Sequence, residues 1–330
     1  MLMVSLVFIF IGISFTSSWS LTTVKIGVLR LSSTAPIFIG MDKGFFEAEG
    51  IKIEPMWFKA AQPIAVATAT GDIDVGATGL TAGLYNAICQ GMKIAVVADK
   101  GREWPGYKLT ALLVSTEQWN AGVRELKDLK GKRVGVTQIG STFHYIIGNL
   151  LEKGGMSLDD MKVVPLGSIS SMRDTLISNR IESVFLNQPL VAAVAKSKKG
   201  NVLLWVGDHL PYQIAGIFYG EKLMKSKSIA VAFMKGYIRS CRYYSDHALT
   251  KKEAPAYQEI LGFISKYTGQ KTDAIALALP YIDRNGELFV QDIQKQLDWY
   301  HRNGMVSKKL TSHEIVNLSF GKEALQQLGK

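Results

Sequence analysis

Four short polar stretches of the chain combine hydroxyl, amide and glycine residues and contain no acidic side chain. Each follows a run typical of a strand and opens a run typical of a helix, as TQIGSTFHY (137–145) does between RVGV and IIGNLLEK. A helix start carries free backbone N–H groups and a partial positive charge, which suit an anion or a strong hydrogen-bond acceptor. The candidate binding residues are Ser32, Ser33 and Thr34; Thr78, Gly79 and Thr81; Thr137, Gln138, Gly140, Ser141 and Thr142; and Asn187 and Gln188.

Other predicted helix starts do carry acidic residues, which makes their absence from these four stretches informative. A fifth polar start, at Gly167 and Ser168, is a weaker case because Asp174 follows in the second turn. Two interpretations are open: the acid-free starts share one ligand, or their hydroxyl, amide and glycine residues are ordinary N-caps. The acid-bearing starts contain Glu125 and Asp128, Asp159 and Asp160, Glu253, Asp273, Asp292, and Glu314.

Two further polar residues and several aromatic ones are candidates to face a ligand. Arg102 would pair with a carboxylate or sulfonate, unless it is a solvated loop arginine. His144 lies in the first turn of its predicted helix, where it is a candidate ligand contact. Four aromatic residues would either wall an apolar ligand or belong to the core. They are Phe38, Trp57, Phe143 and Tyr212.

The composition argues against several other kinds of chemistry. The chain has a net charge of +10, but its basic residues are scattered and no basic stripe with interleaved aromatics predicts nucleic-acid binding. The positive field favours the approach of small anions. Five scattered histidines without CxxC or HxxxH spacing predict no metal site, and no GxSxG or HExxH motif predicts a catalytic centre. Whether Cys89 and Cys241 form a disulfide is open.

The predicted elements fall into two series of alternating strands and helices, which indicate an α/β protein with two parallel-rich sheets. The first series runs from VKIGVLR (24–30) to ALLVS (111–115) and the second from RVGVT (133–137) to VLLWVG (202–207). We expect two lobes with a ligand cleft between them. The first lobe would begin with residues 21–110, and the second would comprise residues 111–213. Residues 214–330 would return to the first lobe and end in a helical tail that packs on it. The chain would cross between lobes in the extended segments 109–115 and 212–219.

Residues 1–20, MLMVSLVFIFIGISFTSSWS, have no charged side chain and an apolar run of the length typical of a signal peptide. We predict a secretory signal that is cleaved near Ser20, which places the protein in the periplasm. An uncleaved membrane anchor and a buried core segment are the alternatives. No later segment predicts a membrane span.

Four motifs in order resemble the solute-binding proteins of ABC importers of the nitrate/sulfonate/taurine type, also described as NMT1/THI5-like. They are APIFIGMDKGFFEAEGIKIE (35–54), ATGDIDVGATG (69–79), LKDLKGKRVGVTQIGST (126–142) and NRIESVFLNQPL (179–190). The resemblance implies a two-lobed type II periplasmic binding fold and an ABC permease as partner. It also implies ligand contacts from the four polar stretches and from the helix start at Gln62. We predict no cofactor. Gln188 stands where the family usually has an acid, which favours an anionic or neutral ligand over a cationic amine.

The main hypothesis is a monomeric, non-catalytic protein that binds a small molecule by closing two lobes on it. Sulfonate, nitrate, aromatic carboxylate and pyrimidine ligands are all open. One alternative is an enzyme of the same fold from thiamin-pyrimidine or menaquinone biosynthesis. The pyrimidine synthases that resemble this chain carry a CCCFC segment, whereas this chain has two distant cysteines. A second alternative is a ligand-sensing module, which would need an output domain that we do not find in the sequence.

Overall fold

The structure is a computed structural model that describes residues 20–329 except residues 251, 253, 254 and 278. The predicted signal peptide, apart from Ser20, and the acid-bearing start at Glu253 therefore lie outside the described residues. Within the described part of the chain, no helix combines the length and the apolar character that a membrane span requires.

The first sheet has the strand order β2-β1-β3-β10-β4. Its strands are β1 (Thr22–Val28), β2 (Ile51–Trp57), β3 (Val75–Gly79), β4 (Ile94–Glu103) and β10 (Tyr212–Gly220). Strand β1 pairs in parallel with β2 and β3, while β10 runs antiparallel between β3 and β4. The helices that connect these strands are α1 (Ala35–Asp42), α2 (Ala61–Thr70) and α3 (Ala82–Cys89).

The second sheet has the strand order β7-β6-β8-β5-β9. Its strands are β5 (Thr110–Ser115), β6 (Arg133–Val136), β7 (Lys162–Pro165), β8 (Ser183–Asn187) and β9 (Gly200–Trp205). Strand β6 is parallel to β7 and β8, and β5 is antiparallel to β8 and β9. The accompanying helices are α4 (Thr116–Asn120), α5 (Thr142–Lys153), α6 (Ile169–Ile177), α7 (Leu190–Lys196) and α8 (Val206–His209).

The chain passes between the two sheets twice, and both passages lie earlier than the sequence predicts. They fall between β4 and β5, at residues 104–109, and between β9 and β10, at residues 206–211. The predicted crossing segments, 109–115 and 212–219, are instead strands within one sheet each. Every residue of β5 and β10 is buried, because these strands have neighbours on both sides and are covered on both faces.

The C-terminal third is helical, as predicted, but it does not pack on the first sheet alone. Helix α13 (Val290–Arg302) contacts α5 beside the second sheet through Trp299, whose ring lies 5.3 Å from that of Tyr145. It also reaches α3, where the Tyr300 and Tyr85 rings are 5.8 Å apart. The tail thus joins both halves of the molecule. Its helices are α9 (Glu221–Lys225), α10 (Lys227–Tyr244), α11 (Ala256–Thr268), α12 (Thr272–Ala276), α13 (Val290–Arg302), α14 (Ser312–Ile315) and α15 (Ser319–Leu328), with a π-helical turn over Ser245–Thr250.

The two cysteines are buried in different hydrophobic clusters. Cys89 belongs to the larger cluster, which extends from α3 through the second sheet, and Cys241 to the cluster between the first sheet and α10. Both are free thiols. The disulfide that the sequence left open is therefore absent.

Candidate functional site

A cavity of about 40 Å³ lies between the two sheets. Its polar lining comes from both sides: Ser33, Thr78 and Lys100 from the first half, and Thr137, Thr142 and Asn187 from the second. Leu29, Leu31, Phe143 and Ile169 are among its apolar walls. We call this space the inner cavity.

Lys100 is the single cationic side chain that lines the inner cavity among the described residues. It is 1% exposed, and Nζ donates a hydrogen bond to Ser33 Oγ at 3.1 Å. None of the ion pairs formed by the described residues includes it. Burial lowers the pKa of Lys100 to about 7, and the negative charge of Asp99 opposes that shift in part. A buried ammonium with one neutral partner is a site where an anion would be stabilised.

The carboxylate next to Lys100 in sequence does not neutralise it. Asp99 accepts hydrogen bonds from the backbone N–H of Gly101 and Asp283, each at 2.7 Å, and from Gln213 Nε2 at 2.5 Å. Neighbouring side chains of a strand point to opposite faces, so Asp99 is directed into the tail while Lys100 is directed into the cleft. The lysine therefore keeps its hydrogen-bonding capacity for the cavity.

A second unsatisfied group faces the inner cavity from β3. Thr78 Oγ1 is buried and has no hydrogen-bond partner among the described residues. Opposite it, Asn187 donates from Nδ2 to Thr110 Oγ1 at 2.7 Å, which leaves the amide oxygen free to accept. Buried polar groups are normally paired, and an orphaned one in a cavity indicates a partner that is supplied from outside the chain.

The two halves touch beside the inner cavity, so the structure corresponds to a closed cleft. Ala82 N, at the start of α3, donates to Gly140 O at 2.9 Å across the halves. Gly79 faces Thr142 so closely that a Cβ at Gly79 would lie 2.7 Å from Thr142 Cγ2. Glycine at this position permits the approach of β3 to the start of α5.

Six of the predicted binding residues line the inner cavity: Ser33, Thr78, Gly79, Thr137, Thr142 and Asn187. Most of the others lie beside it and bond to the protein itself. Ser141 and Thr81 accept from the backbone N–H groups of His144 and Leu84 and are thus N-caps. Thr34 Oγ1 donates to Leu29 O, and three acceptors are satisfied within the protein: Gln138 O by Ser141 N, Gly140 O by Ala82 N and Gln188 Oε1 by Ala192 N. Gln62 packs over Gly83, and the buried hydroxyl of Ser32 has no hydrogen-bond partner among the described residues.

Two predicted candidates do not reach the inner cavity. Arg102 lies 3.8 Å from Asp99 and 3.9 Å from Asp283 and faces the ring of Tyr281. The register of β4 against β10 shifts at Gly101, whose φ is +145°, and Arg102 therefore shares a side with Asp99. His144 Nδ1 accepts from Gly140 N at 3.1 Å, and burial lowers the pKa of His144 to about 4, so its ring is a neutral part of the α5 start.

Sequence reasoning missed Lys100 as a site residue. The signal was present, because a lysine within the otherwise buried strand IAVVADKGRE has no place in a hydrophobic core without a partner. The predicted site was based on acid-free helix starts, and therefore on backbone groups and hydroxyls. Lys100 lies within a strand and is not part of a helix start.

Comparison with known proteins identifies the family. The family model described as NMT1-like family matches residues 19–257. The chain belongs to the NMT1-like family. The predicted resemblance is thereby confirmed.

Solved structures confirm the predicted fold of this NMT1-like protein. The nitrate-binding protein NrtA from Synechocystis PCC 6803 superposes with a TM-score of 0.77 at 16% identity, covering 93% of this chain and 89% of that one. The alkanesulfonate-binding protein SsuA from Xanthomonas axonopodis pv. citri gives a TM-score of 0.72 at 18% identity, covering 90% and 98%. The chain therefore has the two-lobed periplasmic binding protein fold with a helical C-terminal tail.

An enzyme is also among the relatives of this NMT1-like protein. The 4-amino-5-hydroxymethyl-2-methylpyrimidine phosphate synthase of Schizosaccharomyces pombe is 24% identical over 161 residues, which is 47% of this chain and 39% of the enzyme. The match thus covers less than half of either protein. In the part of the chain that the structure describes, no group of three or more His, Cys, Asp or Glu residues is arranged to hold a metal ion.

Proposed function

We propose that this protein is the extracytoplasmic solute-binding component of an ABC importer and that it captures a small anion of the sulfonate, nitrate or carboxylate type. The observation that carries the proposal is Lys100, a buried cation without an ion-pair partner among the described residues, which lines a cavity between two lobes. The ligand completes the charge pair and bridges the lobes. A permease in the membrane recognises the closed form.

The names of relatives and the chemistry of the inner cavity support the same proposal. The structures with the same fold are named for nitrate and alkanesulfonate binding. The inner cavity offers one ammonium, hydroxyls and an amide, which bind an anion. We therefore propose a non-catalytic, monomeric protein, exported to the periplasm by the segment 1–20.

The test is a binding screen with nitrate, methanesulfonate, benzenesulfonate and benzoate on the mature chain, followed by Lys100→Met. We expect at least one anion to raise the unfolding midpoint in a concentration-dependent way. Lys100→Met should weaken its binding about 10- to 100-fold, because a charge-assisted hydrogen bond contributes roughly 1.5–3 kcal/mol. Calorimetry gives the dissociation constants.

The matched control is Lys52→Met, which removes the same charge from an exposed position on β2. It should leave the affinity unchanged within about twofold, because an exposed charge at a distance is screened by salt. If no anion shifts the midpoint while a pyrimidine or a cation does, or if Lys100→Met binds as the natural protein does, the proposal is wrong.

A further inference from the structure

A second, larger pocket lies next to the inner cavity. It has a volume of about 340 Å³ and shares Leu29, Leu31 and Ile169 with the inner cavity. We call it the outer pocket. Because three residues line both spaces, the inner cavity and the outer pocket adjoin each other.

The outer pocket is walled by apolar and aromatic side chains from both halves of the protein. Trp57 and Phe58 come from the end of β2, and Ile169 and Leu190 come from the helix starts of the second half. Trp57 is 36% exposed at the mouth of the cleft. A large aromatic side chain that stays exposed between two lobes is unusual for a core residue and typical of a ligand wall.

Neighbouring groups hold the Trp57 ring in place. Arg30 lies over it at 4.0 Å from the ring centroid and donates from Nη1 to Tyr267 O at 2.6 Å. The Tyr267 ring lies 6.3 Å from the Trp57 ring and is stacked 4.6 Å from Phe38, which in turn lies 6.2 Å from Trp57. The ring is thus fixed before any ligand arrives, which reduces the entropy that binding must overcome.

The charges at the outer pocket match those of the inner cavity. Arg30 and Lys59 lie on its rim, and among the described residues that line it none is acidic. A cationic group on the ligand would meet no counter-charge there. An apolar group that is attached to an anion would meet apolar walls, the neutral Ser170 and two cations.

We infer that the ligand is an organic anion with a tail, whose head lies at Lys100 in the inner cavity and whose flat or extended apolar part lies against Trp57 and Phe58 in the outer pocket. This inference rests on the proposed function and narrows its ligand class. A cavity of about 40 Å³ holds a head group, while the adjoining 340 Å³ holds a ring or a chain of several carbons. A bare inorganic oxyanion leaves the outer pocket without a partner.

The experiment measures dissociation constants for nitrate, methanesulfonate, butanesulfonate, hexanesulfonate and benzenesulfonate by calorimetry. We expect the affinity to rise about threefold to fourfold for each methylene that enters the outer pocket. Trp57→Ala should reduce the advantage of benzenesulfonate over methanesulfonate at least fivefold and leave methanesulfonate itself nearly unchanged. A loss of affinity that is confined to benzenesulfonate indicates a contact with the tail, whereas a variant that fails to fold would bind both sulfonates more weakly.

Trp119→Ala is the matched control, because Trp119 lies under Arg124 at 3.9 Å in the same kind of contact but on α4, outside both pockets. It should leave every affinity unchanged. If nitrate and methanesulfonate bind as tightly as the tailed sulfonates, the inference is wrong and the proposed function stands. If no anion binds, or if Lys100→Met has no effect, both are wrong.

Discussion

Lys100 is the residue that most directly indicates an anion-binding site. Its ammonium is buried and, among the described residues, has one neutral hydrogen-bond partner; it shares the cavity with the Thr78 hydroxyl, which has none there. In the empty protein, burial destabilises the charged form of this lysine and lowers the pKa of Lys100 to about 7. An anion that binds beside the ammonium stabilises the charged form and so raises this pKa again.

Anion affinity should therefore depend on pH. Below pH 7 the lysine is mostly charged before the anion arrives, whereas above pH 7 it must take up a proton on binding. We expect the dissociation constant for a sulfonate to rise about 100-fold between pH 6 and pH 9, because the charged fraction falls by about that factor. Calorimetry at pH 8 in buffers of different ionisation enthalpy should show an uptake close to one proton.

Lys100→Arg separates this titration from other effects of pH, since a guanidinium stays charged over the whole range. Its affinity should not change between pH 6 and pH 9, whatever its absolute value. A sulfonate that carries no titratable group and binds the natural protein equally well at pH 6 and pH 9 would contradict the role given to Lys100.

At the scale of elements, three of the acid-free helix starts are capped by their own hydroxyl groups, whereas the starts of α1 and α7 have no cap from the side chain of the N-cap residue. Thr81, Ser141 and Ser168 accept hydrogen bonds from N–H groups in the first turns of α3, α5 and α6, so ordinary capping accounts for these hydroxyls. Helix α2 differs, because its N-cap residue Ala60 has the extended backbone of a cap but no side chain to serve as one. Ala60 and Ala61 both line the inner cavity. This is the helix start that we expect to face the ligand.

Substitution of Ala60 tests that expectation with a matched pair of variants. Ala60→Ser and Ala60→Asp both supply a cap, and each should raise the free energy of unfolding by about 1 kcal/mol in a denaturant titration. Ala60→Asp should weaken anion binding at least 100-fold, because its carboxylate would lie in the inner cavity and compete for Lys100. Ala60→Ser should bind within about threefold of the natural protein. Equal binding by both variants would place the start of α2 outside the site.

The elements of the fold are predictable from sequence because they follow from local patterns. The strands RVGV and IAVVAD and the helix that begins after Ser141 lie where the apolar runs and caps predict. The register shift at Gly101 and the position of Arg102 were not predictable, because they depend on pairing with β10, which is over 100 residues away in sequence. The burial of Lys100 beside a cavity likewise depends on how the two sheets meet.

At the scale of the whole molecule, function depends on how the halves approach each other. Helix α13 links them on one side: Arg302 pairs with Glu152 of α5 at 3.0 Å, and Gln296 bonds to Tyr85 of α3 at 3.2 Å. Beside the cleft, Gly140 meets Ala82 across the halves. Closure on a ligand therefore requires a close fit at Gly140, in addition to the contacts that the ligand itself makes.

Gly140→Ala should impair closure. A Cβ at Gly140 would lie 2.7 Å from the Cβ of Ala82, closer than two carbon atoms can approach, and the residue has a φ of +76°. We expect the variant to fold but to bind its anion at least tenfold more weakly. In X-ray scattering, the decrease in radius of gyration that the ligand causes in the natural protein should be smaller in the variant.

Gly155→Ala controls for backbone strain, because Gly155 has a φ of +71° and open space around the position of a Cβ. Both variants should lose roughly 1 kcal/mol of folding stability from the positive φ. Only Gly140→Ala should also lose affinity, because only its methyl group separates the halves. If the two variants bind equally well, or if Gly140→Ala contracts on ligand binding as much as the natural protein does, the contact between Gly140 and Ala82 does not limit closure.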